Sequence, residues 1–394
     1  MPKASNTADE LRGASRLVVE ATRGVTTLVE EMHRTIGSGP AVLGRPLEGP
    51  TRLATGAVYG AIRRITGLVG TSVDVVLEQL SPLLRGGVQG AERDAVLSAL
   101  NGVIGDHLAR THNPLAIEMA FRREFAPLNL DDPPALRAAC RQGPHGLLVM
   151  VHGSCMNDRQ WRRNGHDHGA ALARDLERVR LDVVYNSGLH VSTNGDAMAE
   201  LLERLVGAWP DASADVVIVA HSMGGLVARS TCRAGERAGH AWRSRLRSLV
   251  FLGTPHHGAP LERGGNWVDT LLSVSRYSAP LARLGMIRSA GVTDLRFGNL
   301  VEEDWQGRDR FELGPDLRTP VPLPRGVACY AVAGSRASAA GDGLVPLASA
   351  LGIHENPDLT LAFPPGHTLT ANGASHLDLL DRGDVYAQLL AWLS

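Results

Sequence analysis

The chain has 394 residues, a formal net charge of −1, 44% hydrophobic and 21% charged residues. These values are typical of a globular protein and give no reason to expect a nucleic acid or an anionic membrane as partner. The length favours a catalytic domain plus an additional region over a single core.

The cysteines and the first residues bear on the cellular compartment. Cys140, Cys155, Cys232 and Cys329 form no C-x-x-C pair, so the sequence predicts neither a zinc site nor a disulfide framework. The N-terminus has no apolar segment typical of a secretory signal, and no uncharged apolar run is long enough to span a membrane. We therefore expect a cytoplasmic protein with reduced thiols and without a metal or cofactor.

Helical periodicity dominates the first part of the chain. Apolar spacing predicts helices over residues 9–36, 51–84, 91–110 and, after Asn113-Pro114, over 116–123. We interpret residues 1–140 as an N-terminal helical region that packs on a catalytic domain. A membrane-surface module is the disfavoured alternative, because charged residues interrupt any lipid-facing surface. These charged residues are Arg63, Arg64 and Asp74.

Short apolar runs alternate with helical patterns over residues 141–394. The predicted strands are 147–151, 182–185, 216–220, 248–252, 327–332 and 359–363. This alternation predicts an α/β fold with a doubly wound, mainly parallel sheet, in which ligands bind at the carboxyl ends of the strands. A long stretch without strands, about residues 258–325, is predicted to be a cap insertion.

Val216–Ser230 has the pattern of a strand, a sharp turn and a helix. Five apolar residues lead into Ser222, and Leu226 opens a helical pattern. The residues two before and two after the serine are Ala220 and Gly224, and a turn this tight requires small residues there. The pattern is that of the nucleophile elbow, with alanine at the first glycine position.

A nucleophilic serine needs a base, and the base needs an acid that holds it in one tautomer. Asp342 follows the predicted strand 327–332 and lies between two glycines. His376 follows the predicted strand 359–363. We prefer it over His367, because it comes late in its loop and is anchored by apolar neighbours. Each residue is a weak signal alone, but the order Ser222, Asp342, His376, each after a strand, predicts a catalytic triad.

The oxyanion of an acyl-transfer intermediate needs backbone donors. One is the N–H after the nucleophile, on Met223. The other should come from the loop after strand 147–151, with Ser154 preferred and Cys155 next. We interpret His152 in this loop as a structural residue that hydrogen-bonds the loop, and His221 as packed under the elbow and not a base.

Three motifs resemble those of bacterial lipases in the α/β-hydrolase superfamily, close to triacylglycerol lipases and the inositol deacylase of GPI anchors. They are Val151–Gly153, Ala220–Gly225 and Gly253–Gly258, and Tyr185–Gly195 is also similar to a segment of these proteins. The resemblance covers about Gly146 to Ser394. It implies Ser222, Asp342 and His376 as catalytic residues, and Ser154 and Met223 as oxyanion donors. No carboxylate cluster suggests the calcium site of some relatives.

In this superfamily the predicted cap insertion lies over the active site. Its apolar, helical pattern suggests an acyl-chain pocket and a lid. The same residues are equally compatible with a core of the cap itself. The candidate pocket residues are His152, Cys155, His221, His256, Trp267 and Leu271.

The leading functional hypothesis is a serine esterase or lipase that hydrolyses a small ester or lipid-like substrate through an acyl-enzyme. The same triad would also serve an acyltransferase, a thioesterase, an amidase or a polyester hydrolase. A non-enzymatic alternative is a helical scaffold at a membrane surface, and the complete predicted triad disfavours it. The absence of an export signal favours soluble esters over bulk lipid.

Overall fold

The computed structural model describes residues 91–141, 146–259, 289–308, 315–336 and 341–394. The predicted helices over 9–36 and 51–84, most of the predicted cap insertion, and the candidate pocket residues Trp267 and Leu271 lie outside these residues. The description below concerns the described ranges only.

An eight-stranded sheet forms the centre of the described structure, in the order β10-β9-β8-β7-β3-β6-β1-β2. All pairs from β10 to β6 are parallel, whereas β1 pairs antiparallel with β6 and with β2. Two short strands, β4 and β5, form a separate hairpin. The strands are β1 Ala120–Arg123, β2 Ala126–Pro127, β3 Leu147–Val151, β4 Arg162–Arg163, β5 His166–Asp167, β6 Val179–Val184, β7 Val216–His221, β8 Leu246–Leu252, β9 Ala328–Ser335 and β10 Thr368–Asn372.

Helices connect most of these strands. They are α1 Ala91–Arg110, α2 Pro133–Cys140, α3 His168–Asp175, α4 Val191–Ala208, α5 Met223–Ala238, α6 Trp242–Arg245, α7 Ala290–Asp294, α8 Leu347–Ala350 and α9 Gly383–Leu393. Single 3-10 turns cover Asp158–Trp161, Glu302–Asp304, Pro357–Leu359 and Asp378–Leu380.

Alternate residues of the central strands feed two hydrophobic cores. Val149 of β3 faces the layer formed by α2, α4 and α5, together with residues such as Leu202 and Leu226. Met150, the next residue, faces the opposite layer with Leu172 of α3 and Leu389 of α9. Because both faces of the sheet are covered at its centre, the central strand β3 is a continuous apolar run.

The predicted α/β fold with a doubly wound, mainly parallel sheet is confirmed. The chain leaves the central strand β3 for β6 on one side and later returns to β7 on the other, so the strand order reverses at β3. Loops that follow β3 and β7 therefore meet at the carboxyl edge of the sheet, where ligands of such folds bind.

Two predicted elements are wrong. The expected helix over 116–123 contains strand β1, which pairs with β6, because helical and strand spacing are hard to separate in so short a segment. The expected strand over 359–363 is replaced by β10 at Thr368–Asn372. This edge strand is mostly half-buried or exposed, so its sequence lacks the apolar signal of the central strands. The strand β1 precedes residue 140, and the division of the chain at that residue stays a prediction.

Candidate active site

Four loops meet at the carboxyl edge of the parallel strands. Ser222 follows β7 directly, Asp342 follows β9, and His376 follows β10. The loop 152–157 follows β3. The sheet topology thus brings the predicted nucleophile, acid, base and oxyanion loop to one edge.

Ser222 lies in a strained backbone conformation, with φ 54° and ψ −127°. Residues other than glycine rarely adopt such a positive φ, and it costs on the order of 1–3 kcal/mol. The Ser222 N–H donates to the carbonyl of Leu252 at 2.8 Å. At Gly224 a Cβ atom would lie 2.6 Å from the Val151 carbonyl oxygen, so only glycine fits there. Ala220 is fully buried, and the turn accommodates its methyl group.

Asp342 and His376 form a buried, directed pair. The His376 Nδ1–H donates to Asp342 Oδ2 at 2.7 Å. The second carboxylate oxygen, Oδ1, accepts the backbone N–H groups of Leu344 at 2.9 Å and Val345 at 2.8 Å. The His376 backbone N–H also donates to the Asp342 carbonyl at 3.1 Å. These bonds fix the orientation of the carboxylate and of the imidazole.

His376 Nε2 is buried and has no hydrogen-bond partner among the described residues. His376 contacts His221, the residue that precedes the elbow serine. The ring of His221, the residue before Ser222, lies 4.7 Å from the His376 ring, centroid to centroid, and donates through Nε2 to the His376 carbonyl at 3.3 Å. The ring nitrogen that does not bond Asp342 can thus accept a proton, and the ring of His376 contacts the residue that precedes Ser222.

The loop after β3 approaches the nucleophile closely. A Cβ atom at Gly153 would lie 3.1 Å from Ser222 Cβ. The N–H of Cys155, the second choice as oxyanion donor, is occupied by Ser187 Oγ at 3.0 Å. The N–H of Ser154 has no partner among the hydrogen bonds of the described residues, and Met223 occupies the first position of α5, where an N–H has no partner within the helix. These two groups suit an oxyanion.

Two buried histidines flank the site in neutral form. Burial lowers the pKa of His152 to about 4, and its Nδ1–H donates to the Gly153 carbonyl at 2.8 Å. The His152 ring also stacks on Tyr185 at 4.3 Å. Burial and the neighbouring His376 lower the pKa of His221 well below its usual value. Neither imidazole carries a charge near neutral pH.

Two other histidines from the sequence lie apart from the triad. His367 precedes β10, donates through Nδ1 to the Cys329 carbonyl at 2.9 Å and stacks on Tyr330. His256 is buried against Phe251, near the Arg229 guanidinium. Among the described residues, no hydrogen bond or ring contact joins either histidine to Ser222, Asp342 or His376.

Sequence reasoning missed the residues that hold the oxyanion loop. Ser187 accepts the Cys155 N–H, and α1 lies along the loop. In the sequence, the segment Tyr185–Gly195 is identified only by its resemblance. No sequence signal places α1 against this loop, because its partners in the loop are more than 50 residues away along the chain.

No group of three or more His, Cys, Asp or Glu residues in the described ranges is placed to hold a metal ion. No helix of the described residues is long and apolar enough to cross a membrane. All four cysteines are free.

The strand order, the strained serine between β7 and α5, and the chain order of serine, acid and histidine define the α/β-hydrolase fold. The predicted α/β-hydrolase fold is therefore confirmed. The model of a domain of unknown function, DUF7379, matches residues 118–298. No curated protein matches the sequence.

Several solved structures are similar to this chain. The mature lipase BlEst2 of Bacillus licheniformis is 17% identical, with a TM-score of 0.42 over 64% of this chain and 92% of its own. Lipase B of Aspergillus fumigatus is 10% identical, with a TM-score of 0.42 over 82% of this chain and 80% of its own. The thioesterase RedJ of Streptomyces coelicolor is 17% identical, with a TM-score of 0.37 over 68% of this chain and 96% of its own.

Proposed function

We propose that the protein is a serine hydrolase that cleaves carboxylic esters through an acyl-enzyme. The observation that carries this proposal is the buried Asp342–His376 hydrogen bond of 2.7 Å, which leaves His376 Nε2 without a partner, in a ring that contacts His221 next to the elbow serine. A base oriented by a carboxylate next to a serine is the arrangement that activates a hydroxyl for acyl transfer.

Acylation begins when His376 Nε2 takes the proton of Ser222 Oγ, which then attacks the ester carbonyl carbon. The carbonyl electron pair moves to oxygen, and the N–H groups of Met223 and Ser154 donate to this oxyanion. When the carbonyl re-forms, the bond to the leaving alkoxide breaks, and His376 returns its proton to that oxygen. Each such donor typically contributes about 3 kcal/mol to stabilisation of the transition state.

Deacylation repeats these steps with water. His376 Nε2 removes a proton from a water molecule, whose oxygen attacks the acyl carbon, and the same two N–H groups stabilise the second oxyanion. Breaking the bond to Ser222 Oγ releases the acid, and the proton on His376 returns to the serine. Asp342 stays ionised throughout and stabilises the imidazolium ion.

The test compares Ser222→Ala with wild type on p-nitrophenyl butyrate. We expect loss of at least about 1000-fold in kcat, because residual catalysis would come from the oxyanion donors and binding alone. Ser244→Ala, at an exposed serine, is the matched control and should retain wild-type rates. A Ser222→Ala enzyme with near-normal turnover would contradict the proposal.

The bond that is cleaved is tested with matched oxygen esters, thioesters and amides of one acyl group, followed by a chain-length series of p-nitrophenyl esters. Ser222-dependent turnover of the oxygen ester above the others supports an esterase or lipase. Turnover confined to the thioester or amide would move the protein to another class of acyl hydrolase. A rate increase at a lipid–water interface would indicate a lipase.

A further inference from the structure

Helix α1 lies antiparallel along the loop that follows β3. Facing positions are four residues apart on the helix, which is about one helical turn, and two residues apart on the loop. The loop turns at Cys155 and enters a 3-10 turn at Asp158. The three facing pairs are Asp94 with Arg159, Ser98 with Asn157, and Gly102 with Cys155.

Each pair makes a different kind of contact. Arg159 Nε donates to Asp94 Oδ2 at 2.8 Å, and Asn157 Nδ2 donates to Ser98 Oγ at 3.1 Å. The third pair is a close approach of two backbones. A Cβ atom at residue 102 would lie 3.0 Å from Cys155 N and Cα, and would overlap its Sγ.

The same helix also holds the segment that binds the other side of the loop. Asn186 Nδ2 donates to the Gly105 carbonyl at 2.9 Å. A Cβ atom at Gly188 would lie 2.7 Å from Gly105 N. The buried Ser187, which lies between Asn186 and Gly188 in the chain, accepts the Cys155 N–H. Cys155 is therefore fixed by Gly102 from the helix and by Ser187 from a segment docked on that helix.

Cys155 needs such support, because its φ is 60°, a value that costs a cysteine roughly 1 kcal/mol. The residue before it is Ser154, whose N–H is one of the two proposed oxyanion donors. The direction of this N–H depends on the peptide planes between Gly153 and Cys155. A loop released at Cys155 would leave these peptide planes free to rotate, and the Ser154 N–H would no longer be held in one direction.

We propose that α1 is a template for the oxyanion loop and that Gly102 and Ser187 are positioning residues for the Ser154 N–H. This inference rests on the proposed serine hydrolase function. It makes a helix from the predicted N-terminal region a part of the catalytic unit, because the donor geometry depends on it.

The test is Gly102→Ala in the full chain, with Gly207→Ala in α4 as the matched control. A Cβ atom at Gly207 meets no other atom within 4 Å. We expect Gly102→Ala to lower kcat for p-nitrophenyl butyrate about tenfold or more with KM changed less than about twofold, because an oxyanion donor acts on the transition state. Amide hydrogen exchange in peptides covering residues 153–159 should become faster in Gly102→Ala and stay at the wild-type rate in Gly207→Ala.

A rescue separates positioning from general loss of structure. Cys155→Gly removes the overlapping Sγ and suits a positive φ, so Gly102→Ala with Cys155→Gly should recover most of the lost kcat. Where Gly102→Ala does not fold, Ser98→Ala replaces it. This variant removes the bond to Asn157, and we expect faster exchange and a decrease in kcat of about fivefold.

Unchanged exchange at residues 153–159 would overturn the proposal whatever the rates show. Faster exchange with unchanged kcat, in an enzyme whose turnover depends on Ser222, would overturn it as well. If Ser222→Ala kept wild-type turnover, the proposed function would fail, and the exchange data would still decide whether α1 holds the loop.

Discussion

At the scale of single residues, both carboxylate oxygens of Asp342 are held by hydrogen bonds. Its Oδ1 accepts two backbone N–H groups, and its Oδ2 accepts His376 Nδ1–H. In Asp342→Asn the two backbone donors would select the amide oxygen at the Oδ1 position. The amide NH₂ group would then face His376 and force Nδ1 to accept, which places the imidazole proton on Nε2.

We therefore expect Asp342→Asn to fold normally and to lose about 10⁴-fold in kcat, because Nε2 could no longer accept the serine proton. The measurement is kcat for p-nitrophenyl butyrate, with circular dichroism to check the fold. Asp358→Asn, at an exposed aspartate, is the control and should keep wild-type activity. A variant at position 342 that retained more than a tenth of wild-type kcat would remove Asp342 from the triad.

A site residue can be predicted from the sequence when the residues that identify it lie close to it along the chain. Ser222 has small neighbours within two residues, and Asp342 has flanking glycines, so both can be named without a structure. Ser187 and Gly102 hold the same site through contacts that reach 32 and 53 residues along the chain, and no pattern in the sequence connects them.

At the scale of elements, the elbow joins β7, α5 and the loop after β3 at one point. Gly224, in the first turn of α5, lies against the Val151 and His152 carbonyl groups. In an open helix, alanine is preferred over glycine by about 1 kcal/mol. At Gly224 the added methyl group would instead push α5 away from β3, which is overpacking against rigid backbone.

We expect Gly224→Ala to lower the free energy of unfolding by about 1–3 kcal/mol and to reduce kcat, since the oxyanion loop and the nucleophile would separate. Gly207→Ala should raise the free energy of unfolding by up to about 1 kcal/mol and leave kcat unchanged. Urea unfolding and ester turnover of both variants measure these effects. Equal stability of the two variants would show that the elbow does not need glycine at position 224.

The strands divide into those that sequence can predict and those that it cannot. Continuous apolar runs form all of β3, residues 216–220 of β7 and residues 249–252 of β8, and the sequence locates all three strands. The strands β1 and β10 are largely half-buried or exposed. β10 is an edge strand, and β1 lies between β6 and the two-residue strand β2. Neither carries a continuous apolar run, and both predictions failed there. His376 follows β10, so its position is inferred from the order of the predicted triad and from its apolar neighbours.

At the scale of the whole molecule, burial keeps several histidines neutral. It lowers the pKa of His152, His168 and His257 to about 4, from an unfolded value near 6.5. The pKa values of His221 and His256 also fall well below the usual value. Burial also raises the pKa of four aspartates, which act in the opposite direction. The pKa of Asp182 rises to about 7, and those of Asp158, Asp196 and Asp294 rise above the usual value.

Between pH 6.5 and 4 the unfolded chain therefore binds more protons at the five histidines than the folded chain does. The stability that the neutral histidines contribute is fully present above pH 6.5 and is lost as the pH falls toward 4. We expect the free energy of unfolding to decrease with acidification across this window. His168→Gln retains an amide donor for the Leu379 carbonyl. Because this variant takes up one proton fewer on unfolding, we expect its free energy of unfolding to fall by about 1.4 kcal/mol less per pH unit than that of the wild type.

Urea unfolding at a series of pH values measures this slope. His112→Gln, at an exposed histidine, is the control and should follow the wild-type curve. Because His168 donates to the segment just after His376 and not to the triad, its variant should keep the wild-type kcat at neutral pH. A wild-type slope in His168→Gln would mean that His168 is already protonated in the folded protein.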